Sequence, residues 1–264
     1  MELREYLFAG LGNRKWNFSI TSREKGILSG VQRLKQLADE LRLEVITSAN
    51  EGVLLERGSC ILKAVGGAEE IIRAEEMLLG VIGKPSGVAT VAANLVREAG
   101  GMAKVICGAW KKVAPEVRNE LRQAIATGGA GIRITDQPFI YLDKNYVRIF
   151  GGVRPAVTHA KAFDTNRVVV VQIRGEMQPI VEESIQAAQA GAGILMIDTG
   201  KTEDLQAVVE AQKKNGWGKR LKIAYAGGVS ENDIKIITDI GVDIIEAGRA
   251  IIDAPLLDFS LDIF

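Results

Sequence analysis

Two glycine turns stand near the end of the chain, each behind an apolar run: Ala226-Gly-Gly-Val-Ser230 and Glu246-Ala-Gly-Arg249. Glycine at the C-terminal end of a strand lets main-chain N–H groups approach an anion with no Cβ in the way. Ser230 is a natural cap for a helix starting at Glu231, whose positive end would add to the attraction. Arg249 could supply a charged donor or pair with Asp253. Gly227, Gly228, Gly248 and Arg249 are therefore read as a phosphate site, against the plainer reading that the glycines only make turns. Asp198 closes the apolar run Ile194-Leu-Met-Ile-Asp198. A carboxylate there could take a ribose hydroxyl or Mg²⁺ with its waters, or cap the helix that follows.

Other residues carry weaker signals. Thr127-Gly-Gly129 is a second anion cradle or a turn. Trp110-Lys-Lys112 could stack and touch phosphate, or form a solvated basic loop. Asp143-Lys144 reads as a salt bridge at a hinge. Glu75 shares a helix face with Ile71, Leu78 and Ile82, which is odd for a carboxylate unless it reaches an interface. Cys107 reads as a buried thiol with no histidine beside it. The lone histidine, His159, leaves no multi-His metal site and argues against a His-based triad.

The elements that must position these groups follow from pattern. Before residue 100 a helix is expected over Leu34–Leu43, strands at Glu44–Ser48, Val53–Leu55 and Cys60–Leu62, and helices over 68–82 and Val88–Ala99. After it, β-branched runs alternate with helix-period segments. The runs are Lys104–Cys107, Ala124–Ala126, Phe139–Leu142, Val168–Ile173, Gly193–Ile197, Leu221–Tyr225 and Asp243–Glu246. Helices are expected at Ala114–Arg122, Pro179–Ala190, Thr202–Asn215 and Glu231–Ile240. Strands spaced by helices mean parallel β-structure. No Gly-x-Gly-x-x-Gly joins an early strand to a helix, and glycine turns end the last two strands. Both favour an open (β/α) barrel of about seven parallel strands over a doubly wound sheet. The expected division is a small N-terminal α/β domain, 1–100 rejoined by 255–264, and a barrel over 101–254.

Composition bounds the rest. The chain has 264 residues, with Lys+Arg and Asp+Glu both at 33, so net charge offers no drive toward nucleic acid or membrane. Two cysteines make no disulfide framework, which suits a reducing, cytoplasmic setting. No leader is read at the N-terminus, and no apolar run reaches the roughly 18 residues of a membrane span.

The closing segment resembles one family closely. Ile236-Ile-Thr-Asp-Ile-Gly-Val-Asp243, Ala247-Gly248 and Ala254-Pro-Leu-Leu-Asp-Phe-Ser-Leu-Asp-Ile263 are similar to the end of quinolinate phosphoribosyltransferase, the carboxylating nicotinate-nucleotide pyrophosphorylase. Ser86-Gly-Val-Ala-Thr90 resembles its Ser-Gly-Ile-Ala-Thr, Leu195-Met-Ile-Asp198 its Leu-Leu-Asp, and Ala226-Gly-Gly228 its Ser-Gly-Gly. The resemblance implies a small N-terminal domain on an incomplete barrel. It also implies a homodimer whose active sites borrow residues from the partner, here Glu75 and Glu76. The co-substrate it implies is phosphoribosyl pyrophosphate, with Mg²⁺. In that frame Asp198 holds ribose or metal, Gly227, Gly228 and Gly248 the 5′-phosphate, and Lys111 or Lys112 the pyrophosphate.

The departures concern charge. The family's Asp-Thr-Arg-Lys-Thr gives way to Cys107-Gly-Ala-Trp-Lys-Lys-Val113. Its Arg-Thr-Gly-Gly-Gly becomes Ala126-Thr-Gly-Gly-Ala130, leaving Arg133 as the one arginine to survive nearby. Its Lys-Asp-Asn-His becomes Asp143-Lys-Asn-Tyr146, its Ala-Glu-Arg ends in Glu76, and its Glu-Val-Glu becomes Val170-Val-Gln172. Burying a dianionic pyridine where guanidinium groups have become carboxylates costs several kcal/mol. The expectation is phosphoribosyl transfer to a nitrogenous acceptor other than quinolinate, with Lys111, Lys112, Arg133, Asp143 and Asp198 as catalytic candidates. A non-catalytic binding protein or chaperone-like partner that keeps the phosphate site is the alternative.

Overall fold

The computed structural model describes residues 3–218 and 220–264. In chain order the elements are α1 (Leu3–Phe8), β1 (Lys15–Ser22), β2 (Gly26–Ile27), α2 (Val31–Glu40), β3 (Glu44–Ser48), β4 (Leu54–Leu55), β5 (Cys60–Gly67) and α3 (Ala68–Ala99). They continue with β6 (Lys104–Ile106), α4 (Arg118–Thr127), β7 (Phe139–Leu142), α5 (Lys144–Ile149), α6 (Val153–Phe163), β8 (Val168–Ile173) and α7 (Ile180–Ala190). The last are β9 (Ile194–Asp198), α8 (Thr202–Asn215), β10 (Lys222–Ala226), α9 (Ile234–Ile240), β11 (Ile244–Glu246), α10 (Gly248–Ile252) and β12 (Phe259–Ile263).

Two compact units emerge. The first comprises residues 1–93, 110–129 and 251–264, the second 94–109 and 130–250. Residues 110–129, assigned to the barrel from sequence, therefore group with the N-terminal unit. That unit holds a four-stranded antiparallel sheet in the order β12-β1-β5-β3. Its C-terminal strand is the last segment of the chain, running antiparallel to β1. Helices α2 and α3 bury Leu34, Leu37, Ile71, Leu78 and Ile82 with Phe18, Ile20 and Leu62 of the sheet.

The second unit is a six-stranded parallel sheet, β6-β11-β10-β9-β8-β7, with β6 and β7 at its open edges. The run Ala124–Ala126, expected as a strand, is the end of α4 instead. Leu121, Ala124 and Ile125 fall at helical spacing and are buried together, so the helix continues until Gly128. What remains of a further strand is a single parallel bridge between Ile106 and Gly131.

The two helices expected over 68–99 are one helix, with Pro85 inside it. Proline there removes the N–H that would bond the Val81 carbonyl. Gly30, in the left-handed region at φ 96°, lies against that oxygen, where a Cβ would sit 2.2 Å away. Apolar length alone would let α3 cross a bilayer. Its buried Ile71, Leu78, Ile82, Val88 and Leu95 make it instead a helix of the protein's own interior.

The Ser86–Thr90 motif has a packing role. Ser86 Oγ accepts the Ser29 N–H at 2.9 Å, and Thr90 Oγ1 accepts the Ile27 N–H at 2.8 Å. Between them Gly87 meets the chain before β12, so closely that a Cβ would lie 1.8 Å from the Pro255 carbonyl oxygen. Gly80, on the same helix, has nothing within 4 Å of the equivalent position. Gly87→Ala should therefore cost about 1–3 kcal/mol of stability. Gly80→Ala should add about 0.5–1 kcal/mol, and urea unfolding followed by circular dichroism reads both.

Candidate active site

A strand sends every second side chain to the same face. In the parallel sheet one face is apolar, built from Ile106, Val170, Ile194, Met196, Ala224, Ala226 and Ile244, with Phe139 and Tyr141 packed against them. Stepping on by two from these residues reaches the strand ends. There the same face carries Gln172, Asp198 and Glu246, with Arg174 hydrogen-bonded to Asp198 and the Gly108 N–H to Glu246. Polar groups thus crown an apolar interior at the C-terminal ends of parallel strands.

Register sets which of them are neighbours. Ala226 pairs with Asp198, and Tyr225 with Ile245, so Glu246 stands on the other flank of Ala226. Asp198 and Glu246 thus end the two strands that flank Ala226. Asp198 Oδ2 accepts from Arg174 Nη1 at 2.8 Å and from the Gln172 carboxamide. Gln172 in turn accepts the Lys144 N–H at 2.7 Å. Arg174 Nε also donates to Glu176 at 3.0 Å, and Arg148 grips the same carboxylate at 2.7 Å. The hydrogen bond from Arg148, helped by both guanidinium charges, holds the Glu176 carboxyl below its usual range.

Across the sheet, Glu246 Oε1 accepts the Gly108 N–H at 3.1 Å. A Cβ on Gly108 would come within 2.8 Å of that oxygen, so the glycine makes room for the carboxylate. Burial pushes the Tyr141 phenol far above its ordinary 10.0, and the charges of Glu246, Asp198 and Asp143 push in the same direction. Its hydroxyl is a neutral group facing carboxylates.

The residues singled out from sequence fare differently. Asp198 stands at the centre of the strand ends. Its charge is balanced by Arg174, and Oδ2 already takes two donors, which argues against the metal expected there. Among the described residues no cluster of three His, Cys, Asp or Glu side chains suits a cation. Asp143 forms no salt bridge at a hinge; it caps α5, accepting the N–H groups of Asn145 at 2.8 Å and Tyr146 at 3.2 Å. Arg133 is exposed, its guanidinium 5.3 Å from the Phe139 ring centre.

The glycines divide. Gly227 is required by close backbone contact, since a Cβ would fall 2.3 Å from the Gly200 nitrogen, and it forms no open cradle. Gly228, at φ 85°, has open space beside it. Gly248 lies against Ala109, and its Cβ position is 3.7 Å from Glu246 Oε1, so a carboxylate borders the expected phosphate site. Arg249 is exposed on α10. Ser230 forms a reciprocal capping box with Asp233, its hydroxyl donating at 2.6 Å.

In the first unit, Thr127 donates to Glu51 at 3.0 Å, and a Cβ on Gly128 would lie 2.3 Å from the Ala89 carbonyl oxygen. That stretch is a packed turn and not a second anion cradle. Trp110 carries the Arg122 guanidinium 4.8 Å from its ring centre. Lys111 and Lys112 are exposed, and the Lys111 carbonyl accepts from Arg118 at 3.0 Å. Glu75 is exposed and Glu76 pairs with Arg4. Tyr141, Gln172, Arg174 and Glu246 were missed from sequence, although the two-residue alternation of their strands was there to find them.

The sequence matches the N-terminal domain of quinolinate phosphoribosyl transferase over residues 5–86 and its C-terminal domain over 88–262. The chain belongs to this family. A probable carboxylating nicotinate-nucleotide pyrophosphorylase of Archaeoglobus fulgidus is 28% identical over 244 residues, 92% of each chain. The human nicotinate-nucleotide pyrophosphorylase is 27% identical over 253 residues, 93% of this chain and 82% of its own. The structure of the nicotinate-nucleotide pyrophosphorylase from Francisella tularensis matches with a TM-score of 0.82 at 25% identity, over 98% of this chain and 90% of that one. The mixed α/β fold, parallel sheet plus small antiparallel domain, is thus the quinolinate phosphoribosyl transferase fold.

The Tyr141 environment gives a pH test within this family fold. A raised phenol pKa contributes stability that is complete below the unfolded value near 10.0 and is lost as pH rises past it. Alkaline unfolding should therefore be shallower between about pH 9 and 11 in Tyr141→Phe than in the parent. Absorbance at about 295 nm should show tyrosinate formation well above pH 10 that is smaller in the variant, the remainder coming from Tyr225, whose phenol burial also raises.

Proposed function

We propose that the chain is a phosphoribosyltransferase of the nicotinate-nucleotide pyrophosphorylase type, acting on phosphoribosyl pyrophosphate and an acceptor other than quinolinate. A ring nitrogen of the acceptor forms a bond to the anomeric carbon. The bond from that carbon to pyrophosphate breaks, and its electron pair leaves with the pyrophosphate. The transition state carries oxocarbenium character, so orientation and charge placement are the protein's task. Asp198 is assigned to the ribose hydroxyls and Gly228, with Gly248, to the 5′-phosphate. Magnesium, where the donor carries it, belongs to the substrate, and no step passes through a resident metal.

The observation that carries the acceptor reading is the Glu246 carboxylate at the end of β11, whose charge reaches the buried Tyr141 phenol. A like charge about 4 Å from a carboxylate costs about 4 kcal/mol at an effective dielectric of about 20. A dicarboxylate ring would meet that repulsion at Glu246, whereas a neutral or cationic ring with N–H groups would find an acceptor there. Glu246 is the group to read such donors. Sharing of the site by a second copy, with Glu75 and Glu76 contributed across the interface, is part of the same proposal.

Incubation with magnesium phosphoribosyl pyrophosphate and quinolinate, read by mass spectrometry, should yield nicotinate mononucleotide only at a trace. Pyrophosphate release should appear with a panel of neutral and cationic nitrogen heterocycles. Robust conversion of quinolinate would overturn the acceptor assignment. Donor bound without pyrophosphate release from any acceptor would count against an enzyme. A monomeric mass in light scattering at micromolar concentration would remove the shared site.

A further inference from the structure

The segment that leaves β8 carries an arginine into the strand-end cluster. Arg174 follows the last residue of that strand, and its side chain lies on the inward face beside Asp198. Because Ile173 pairs with Ile197 and Asp198 with Ala226, Arg174, Asp198 and Ala226 form one level across three neighbouring strands. The glycine turn at Gly227 and Gly228 begins directly after that level. A half-buried guanidinium therefore stands two strands from the turn that offers open main chain.

The segment is built to hold it there. Glu183 on α7 is 2% exposed, yet it is a carboxylate. Its Oε2 accepts the N–H groups of Arg174 at 3.0 Å and Gly175 at 2.9 Å, and its Oε1 accepts that of Met177 at 3.2 Å. A buried charge is costly unless fully hydrogen-bonded, and here three main-chain donors meet it. Glu176 then fixes the guanidinium from outside, held itself by Arg148. Stability alone does not call for a pinned cation at a strand end. A cation beside Asp198 does make that level hospitable to an anion: without Arg174, the Asp198 carboxylate would face an incoming phosphate unbalanced.

We infer that Arg174 binds a phosphoryl group of the donor, and that Glu183 is its positioning residue, acting through the backbone of residues 174–177. The inference rests on the phosphoribosyl-transfer reading and adds to it a cation held directly against Asp198. Arginine suits the task because its fork can keep Asp198 on one edge and offer the other to phosphate oxygens.

Calorimetric titration with inorganic pyrophosphate and, separately, ribose 5-phosphate tests it on the full chain. Arg174→Gln should weaken one of the two by about tenfold or more, and the ligand affected tells which phosphoryl group is held. Arg174→Lys, which keeps the charge, should recover most of the loss. Glu183→Gln should weaken the same ligand, and adding it to Arg174→Gln should bring little further loss, because both act through one group. Should Glu183→Gln fail to fold, Glu183→Asp keeps the charge, shortens the reach and reads the same loss. Unchanged affinity for both ligands in a folded Arg174→Gln protein overturns the inference, as does full additivity of the two substitutions. A parent protein that binds neither ligand overturns the phosphoribosyl-transfer reading itself.

Discussion

Side chains on a parallel strand alternate between its two faces, and the candidate site depends on that constraint. On the inward face of the six-stranded sheet, apolar residues run up each strand until the last one or two positions turn polar. Met196 gives way to Asp198, Val170 to Gln172 and Arg174, Ile244 to Glu246. The polar groups come from strands far apart in sequence, yet register brings them to one level. Asp198 and Glu246 share that level because β9 and β11 both pair with β10 in parallel register around Ala226.

Two carboxylates side by side repel unless each is compensated. Asp198 is compensated by the Arg174 guanidinium and the Gln172 carboxamide, Glu246 by the Gly108 main chain. The compensation is anchored in turn: Arg174 by Glu176 and by the backbone that Glu183 holds, Glu176 by Arg148. The strand ends therefore hold one guanidinium, that of Arg174, directly against Asp198, with that of Arg148 behind it on Glu176.

The packing motifs tell a complementary story. Ser86, Gly87 and Thr90 stitch α3 to β2 and to the chain before β12. Their resemblance to a family motif therefore reports how the N-terminal unit is assembled. Gly30 and Pro85 act together in the same way, one removing a donor from the helix and the other approaching the carbonyl left behind. Motifs of this kind identify a family well because close backbone contacts tolerate no other residue, but they carry no chemistry.

Much of the architecture was legible in the sequence alone. Alternating β-branched runs and helix-period segments, with glycine after the last strands, determined a parallel barrel-like sheet. The closing segment determined the family. Asp198 and Gly228 were also within reach, because a strand end and a glycine turn are local signals. Local pattern misled at Ala124–Ala126, where a short apolar run suits strand and helix equally and burial of Leu121, Ala124 and Ile125 decided for helix. It misled again at Pro85, where helix packing outweighs the lost hydrogen bond. Tertiary structure alone decided that Gly227 meets Gly200 and that Arg174 reaches Asp198. Each of those outcomes depends on which strands are neighbours and in what register, and hydrogen bonding between distant segments sets that.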